Sequence, residues 1–456
     1  MFIFNDKNYD ISIKFFYETS KIPSFLKDIK VFEGKESQSY FDAKMKVLYI
    51  GLGKRNNDKM ILFKATVNGF RSIKDFSFEK VNIILNSVDK NDILFVIEAL
   101  FVARFSFSMK KDEKNRTIVF IFDSVYKNYV EEAYKIAEAR NFVRKLVDMP
   151  SNMLTTNEFV NYIENRLKNL NNIDIKVLDY DQLIKENFAG LIAVGKGSLN
   201  PPFFVKIKYE PKSYNKTISL IGKGIVFDSG GLSLKPTESM LDMKGDMAGA
   251  ATVVGIIEIL SKNNIGIKVN AYVPIAENMI SGHSYKIGDI ITYRNGKSVE
   301  ITNTDAEGRL ILADAIIEAN KDDSSITFVV ATLTGACMVA LGTHIYGVFS
   351  SDVETGKVLV DFVNKKTSEK AWLLPLFEPY KENLKSKIAD IKNASSSRWG
   401  GAINAALFLK EFVENKKFIH LDIAGPFYDD GIGIMDKMAT GIPVESLYMF
   451  LSKYFI

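Results

Sequence analysis

From about residue 173 onward the chain alternates short β-rich runs with helical stretches. That alternation constrains the fold more than any other feature. Runs at 173–178, 203–209, 219–221, 267–273 and 327–333 read as strands, and 248–260, 310–319 and 402–413 read as helices. Strands separated by helices require a central sheet with helices laid over it. Residues 1 to about 125 repeat the texture on a smaller scale, with strands at 46–50, 81–85 and 118–122. Between the two regions, residues 129–147 keep helical apolar spacing up to a stop at Pro150. The expectation is an α/β protein of two α/β domains. A smaller N-terminal domain would span 1–126, a linker helix 127–150, and a larger C-terminal domain 151–456. The larger domain would be built on a central mixed sheet flanked by helices and would carry any catalytic site.

Composition removes several functional classes. Hydrophobic residues make up 47% and charged residues 25% of the 456, an ordinary globular balance. A net charge of +4 argues against a dedicated nucleic-acid binder, which needs a strong basic stripe. One cysteine, Cys337, excludes an internal disulfide framework and a cysteine-rich zinc site, and reads as a buried thiol. Only three histidines are present, His283, His344 and His420, with no HExxH, so a histidine-based zinc site is not expected. No apolar run reaches the ~18 residues of a spanning helix. The first residues lack a basic signal region. The expected location is cytoplasmic, without membrane contact. Gly51-Leu52-Gly53-Lys54 lacks the further glycine and the Ser/Thr of a phosphate loop and reads as a strand-end turn. Residues 110–116 read as a solvated turn.

Two segments carry the chemistry. Asn303-Thr304-Asp305-Ala306-Glu307-Gly308-Arg309-Leu310 places two carboxylates two positions apart and a guanidinium two further on. In an extended segment, Asp305, Glu307 and Arg309 would point to one side. The glycine-rich run 221–249 adds Lys223, Asp228, Lys235 and Asp246. Four carboxylates brought together repel one another unless cations intervene, so Asp228, Asp246, Asp305 and Glu307 are candidate ligands for a pair of divalent ions. Asp246 also stands where it could cap a helix. Arg309 suits a planar oxyanion, or a salt bridge to Asp305 or Glu307.

The NTDAEGRL run, the GKGIVFDSGGLSLK run and the spacing between them resemble the leucyl aminopeptidase (cytosol aminopeptidase) family of dinuclear metallopeptidases. The resemblance implies a metal-dependent aminopeptidase that releases N-terminal, leucine-like residues by means of a two-metal-activated water. It implies two divalent ions bridged by Asp228 and Glu307. Asp305 would complete one ion's site, and Asp246 with a neutral Lys223 the other. Zn or Mn would be expected, with Mg or Co also acceptable to such ligands. Lys235 would polarise the scissile carbonyl, and Arg309 would hold a bicarbonate that takes a proton from the water. Met243, Thr332, Gly335, Ala424 and Phe427 match positions lining the pocket for the first side chain. The loop at 395–402 matches a glycine-rich family loop, with Arg398-Trp399 bulkier than usual. The resemblance also implies a homohexamer acting on peptides with a free N-terminus, at neutral to alkaline pH. Two other readings stay open at this level. One is a two-metal phosphoesterase, since Lys235 and Arg309 suit phosphate. The other is an additional DNA-binding role for the N-terminal domain.

Overall fold

The computed structural model describes residues 1–28, 30–55, 58–110, 117–429 and 438–456. The solvated turn expected over 110–116 lies, from 111 on, outside the described residues. The chain forms two compact units, and the division between Asn141 and Phe142 falls inside the helix Lys127–Asp148.

The first unit is built mainly from Met1–Asn141. Its six strands are β1 (Phe2–Phe4), β2 (Ile11–Tyr17), β3 (Ser39–Asp42), β4 (Val47–Gly53), β5 (Lys80–Ile84) and β6 (Val119–Phe122), in the order β1-β6-β5-β2-β4-β3. Among the described residues, only the edge pair β3–β4 of this sheet is antiparallel. β4 is buried at every residue, as expected of a strand covered on both faces. Gly51 and Gly53 lie inside this strand rather than in a turn beyond it. A Cβ at Gly51 would stand 2.1 Å from the Lys35 carbonyl oxygen, so close backbone approach explains that glycine.

The second unit carries a nine-stranded mixed sheet. Its strands are β7 (Ile173–Leu178), β8 (Phe203–Tyr209), β9 (Thr217–Gly222), β10 (Gly224–Asp228) and β11 (Lys268–Asn278), followed, beyond a small sheet of β12 (Ile290–Thr292), β13 (Ser298–Glu300) and β17 (Ile391–Lys392), by β14 (Ile326–Ala331), β15 (Tyr346–Ser350), β16 (Ala371–Leu373) and β18 (Lys417–Asp422). The order is β16-β15-β18-β14-β9-β11-β8-β7, and β10 pairs with β11. The core strands β18, β14, β9, β11 and β10 run parallel to one another, while β15, β8 and β7 supply antiparallel pairs. The helices Ala248–Lys262 and Glu307–Ala319 are buried along nearly their whole length, which suits helices packed within the core.

Two boundaries differ from the sequence expectation, and both differences shape the site. The strand expected to stop at residue 273 continues to Asn278 through Pro274. Its parallel partner is β9 up to Tyr272 and β10 from Ile275, so the missing proline N–H falls at a break in the ladder. Lys223 sits opposite that break, between β9 and β10. The helix expected from residue 310 begins at Glu307. Glu307 and Arg309 therefore project from a first helical turn, not from an extended strand.

Candidate active site

Open α/β sheets place their sites at the carboxyl ends of strands, where loops diverge. Asp228 is the last residue of β10, and Lys235 lies in the loop beyond it. Asp246 closes the 3-10 turn Met243–Gly245, ahead of the helix Ala248–Lys262. That helix has no side-chain cap, so Asp246 is not spent on capping. Asp305 lies just before the helix Glu307–Ala319.

The fold brings the two segments together. Asp228, Asp305 and Glu307 each offer a carboxylate oxygen within 4.8 Å of the others. Lys223 Nζ lies 2.9 Å from Asp246 Oδ1, 3.0 Å from Glu307 Oε1 and 2.9 Å from the Thr332 carbonyl oxygen. Lys235 Nζ lies 2.9 Å from Asp228 Oδ2 and also pairs with Asp305. Lys223, Asp228, Asp246 and Glu307 are buried. Gly308 makes room for the lysine, since a Cβ there would meet Lys223 Cε at 2.5 Å and Nζ at 2.6 Å.

The charges are unevenly matched. Burial, and for Asp228 the neighbouring Glu307, pushes the Asp228 and Asp246 carboxyls above the usual range. Burial and Glu307 raise Asp305 as well. For Glu307 burial is outweighed by Lys223 and Lys235, which hold it below its ordinary value. Burial alone would lower both lysines, but Asp246, Glu307 and Asp228 around Lys223, and Asp228, Glu307 and Asp305 around Lys235, hold them firmly protonated. Two lysines do not satisfy four acids. Among the described residues, Asp246 Oδ2 and Glu307 Oε2 are buried without a hydrogen-bond partner. A buried anionic oxygen left bare is costly, and a hard cation is the partner it lacks.

Arg309 stands apart from the carboxylates. Its Nη1 donates to the Asn393 carbonyl oxygen at 2.7 Å; among the described residues its Nε has no partner and no ion pair joins it to a carboxylate. Burial lowers its pKa to about 10, which leaves it charged at neutral pH.

The five expected pocket residues fall on three loops. Met243 is half-buried in the 3-10 turn. Thr332 follows β14 and is committed to the cluster, its Oγ1 donating to Asp246 Oδ1 at 2.8 Å. Gly335 opens the helix Gly335–Leu341 and faces space, with nothing within 4 Å of a Cβ placed there. Ala424 and Phe427 follow β18, Phe427 being buried. The buried Asp422 links these walls. Its Oδ1 accepts from the N–H groups of Leu333, Thr334 and Ala424, and its Oδ2 from Thr334 Oγ1 at 2.7 Å. The bulky Arg398-Trp399 pair is stacked, the guanidinium 4.2 Å from the indole centroid, with Trp399 exposed.

Sequence reasoning missed the residues that hold the loops. Thr304 Oγ1 donates to the Gly230 carbonyl oxygen at 2.7 Å and accepts from the Ser233 N–H at 2.7 Å. Asn393 Oδ1 accepts from the Thr302 N–H, and its Nδ2 donates to the Asn303 carbonyl oxygen. Tyr285 donates to the Thr304 carbonyl oxygen at 2.6 Å. Thr304 was legible as part of the motif. Single polar residues such as Asn393 and Asp422 carry no spacing that marks them. His420 is buried with Nδ1 beside the Val329 carbonyl oxygen and takes no place among the carboxylates, and Cys337 is buried.

Comparison with known proteins gives the chain its family. The family model "Cytosol aminopeptidase family, catalytic domain" matches residues 141–448. A probable cytosol aminopeptidase of Rhodopirellula baltica is 42% identical over 328 residues, 71% of this chain; the match spans 64% of that protein, just under two thirds of its length. A probable cytosol aminopeptidase of Persephonella marina is 36% identical over 424 residues, 89% of this chain and 84% of that protein. Among solved structures, the bottromycin maturation enzyme BotP superposes with a TM-score of 0.89 at 30% identity, covering 98% of this chain and all of that one. The same enzyme in complex with Mn gives 0.89 over 97% of this chain.

Proposed function

The chain belongs to the cytosol aminopeptidase family of leucyl aminopeptidase-type hydrolases, and from that premise we propose that it is a metal-dependent aminopeptidase releasing leucine-like N-terminal residues from peptides. The observation that carries this reading is the meeting of Asp228, Asp305 and Glu307 within 4.8 Å, with Asp246 joined to them through Lys223.

The residues fit a pair of divalent ions. The donors are carboxylate oxygens and one amine, and two of the buried oxygens have no other partner among the described residues. Asp228 and Glu307 would be shared, Asp305 would complete one ion's set, and Asp246 with Lys223 the other. Zn or Mn is the proposed metal, and Mg or Co would also be accepted. When bound, such ions supply a lowered water pKa and a polarised substrate carbonyl. Lys223 now carries a proton held on it by its carboxylate neighbours, so it could serve as a ligand only where added positive charge drives that proton off.

The remaining roles fall to the chain's own cations. Lys235 is held charged and its side chain is partly open to solvent, so it can donate to the scissile carbonyl oxygen as negative charge builds there. Arg309 is a buried guanidinium with no carboxylate partner among the described residues, which favours a planar oxyanion such as bicarbonate. That anion would take the proton the attacking water gives up. Met243, Gly335, Ala424 and Phe427 would form apolar walls for the first side chain, with Thr332 between them and the carboxylates. A homohexamer in the cytoplasm completes the proposal; a fully active monomer by solution mass would refute the assembly.

The test is hydrolysis of a leucine anilide by chelator-stripped protein with Mn or Zn restored, beside an Asp305→Ala variant and a phosphomonoester control. Metal-restored peptidase activity, lost in the variant and absent on the phosphoester, is the expected result. A folded protein inactive with every metal would overturn the reading.

A further inference from the structure

Asn278, the last residue of β11, is fully buried and has no part in the chemistry above. It stands opposite Asp228 in the register of β10 and β11. Its Nδ2 donates to Asp228 Oδ1 at 2.7 Å and to the Thr304 carbonyl oxygen at 3.1 Å. Both partners are acceptors, so the amide has one workable orientation; flipped, its oxygen would face two other oxygens. Both amide hydrogens are thereby used. The Asn278 Oδ1 is left buried without a donor among the described residues. A buried orphan is a cost to folding, and its presence beside a functional site asks for a local reason.

We infer that Asn278 is a positioning residue of the carboxylate cluster. Its amide fixes Asp228 Oδ1 and ties it to the loop that carries Asp305, so the two acids stay at ligand separation before any ion arrives. This rests on the metal-centre reading above. Asp228 and Asp305 come from distant parts of the chain and repel each other when ionised; Lys235 opposes their separation by pairing with both, and Asn278 opposes it without adding a charge. The only other hydrogen bond to Asp228 Oδ1 comes, among the described residues, from the Gly230 N–H in its own loop, at 2.8 Å. That bond shapes the loop but reaches no other segment. Asn278 reaches both. Its backbone adds to the hold, since its carbonyl oxygen accepts from the Ser229 N–H at 3.1 Å and from Ser229 Oγ at 2.7 Å. A neutral amide also suits the place. It gives two donors without adding a cation that would compete with the metal, as Lys235 does on the other oxygen, 2.9 Å away.

The two acceptors of the amide are not equally dependent on it. The Thr304 carbonyl oxygen keeps the Tyr285 hydroxyl, at 2.6 Å, when the amide is removed. Asp228 Oδ1 loses one of its two donors. The effect of replacing Asn278 should therefore appear at Asp228, in metal affinity, more than in the packing of the 303–305 loop.

The experiment is calorimetric titration of Mn into chelator-stripped full-length protein, for wild type, Asn278→Leu and Tyr285→Phe. Metal-free melting temperatures are measured alongside, with kcat and KM on leucine anilide at saturating Mn. Leucine matches the shape of asparagine and removes the orphaned oxygen, so the metal-free fold should hold its melting temperature. Mn affinity should fall by about 10–100-fold, as for residues that orient a ligand from behind, with the ion stoichiometry and KM kept. Tyr285→Phe should leave Mn affinity near the wild-type value. Wild-type affinity in Asn278→Leu would overturn the inference, as would an equal loss in Tyr285→Phe, which would point to loop packing in general. Should Asn278→Leu fail to fold, Asn278→Ser, too short to span both acceptors, is read in the same way. Wild-type protein that takes up no Mn would instead sink the metal-centre reading, and the two failures are thereby told apart.

Discussion

The two units each gather charge beyond the end of β2 and β4 in one case and of β10 in the other, and they settle it differently. In the first unit, Asp92 accepts from the Tyr17 hydroxyl and pairs with Lys59, while Asp89 pairs with Arg55, which also lies 4.9 Å over the Tyr17 ring. Two acids meet two cations, and the account closes. In the second unit, four acids meet two lysines, and Asp246 Oδ2 and Glu307 Oε2 stay buried and bare among the described residues. The balanced cluster looks like a structural joint. The unbalanced one is electrostatically incomplete, which is the condition the proposed metal centre rests on. Proximity of charged groups is common to both, so the imbalance under burial is what marks the site.

The hardest blow to this contrast would come from removing one acid on each side. Asp305→Ala should lower kcat/KM on leucine anilide by at least about 1,000-fold, a loss of roughly 4 kcal/mol of transition-state stabilisation. Asp92→Asn should leave kcat/KM close to wild type. A comparable loss in both would show that the second cluster is no more special than the first.

A smaller effect is expected from crowding Lys223. Gly308→Ala puts a methyl against the far end of that flexible side chain, which can move aside. Activity and Mn affinity should both fall by about tenfold or more, with little change in melting temperature. The counterpart, Gly69→Ala, would meet the Ile50 side chain at 2.7 Å in the first unit. It should cost about 1–3 kcal/mol of stability by overpacking and leave Mn affinity untouched. Circular dichroism melts and metal titration separate the two.

pH sharpens the comparison further. Asp228, Asp246 and Asp305 are all held above the ordinary carboxylate range without ions. A raised pKa means that protons occupy these oxygens at pH values where free carboxylates are ionised, and those protons compete with metal. Mn affinity should therefore rise as pH goes from about 5 to about 8, with protons released on binding. Calorimetry in buffers of different ionisation enthalpy counts them, and a flat profile would contradict the raised carboxyls. The smallest expected effect is on the closed cluster. Asp92→Asn should cost about 1–3 kcal/mol of stability, from weakened hydrogen bonds to a buried group, measured by denaturant titration.

Much of this architecture was legible in the chain. The strand–helix alternation announced two α/β domains. The two motifs named the four acids, both lysines and the arginine, because each motif is a compact run with its glycines in place. What escaped was what depends on partners distant in sequence. Asp305, Glu307 and Arg309 were expected to converge by strand alternation. The helix starts at Glu307 instead, so the two acids meet across a turn, while Arg309 reaches the Asn393 carbonyl oxygen. The end of β11 at Asn278 was hidden by Pro274, a residue that usually stops a strand, because the change of partner from β9 to β10 could not be seen in advance. Asn278, Asn393 and Asp422 were invisible for a simpler reason. Each is a lone polar residue whose importance comes only from what lies across the fold.

The sequence by itself determined which donors are present, in what order, and on which kind of element. Local patterning is enough for that, since hydrophobic period and glycine placement are properties of short stretches. Only the tertiary structure decided that these donors share one buried space with too few cations. Charge imbalance depends on distance and on exclusion of water. Neither exists in the chain until β10, β11, β14 and the helix Glu307–Ala319 have packed together.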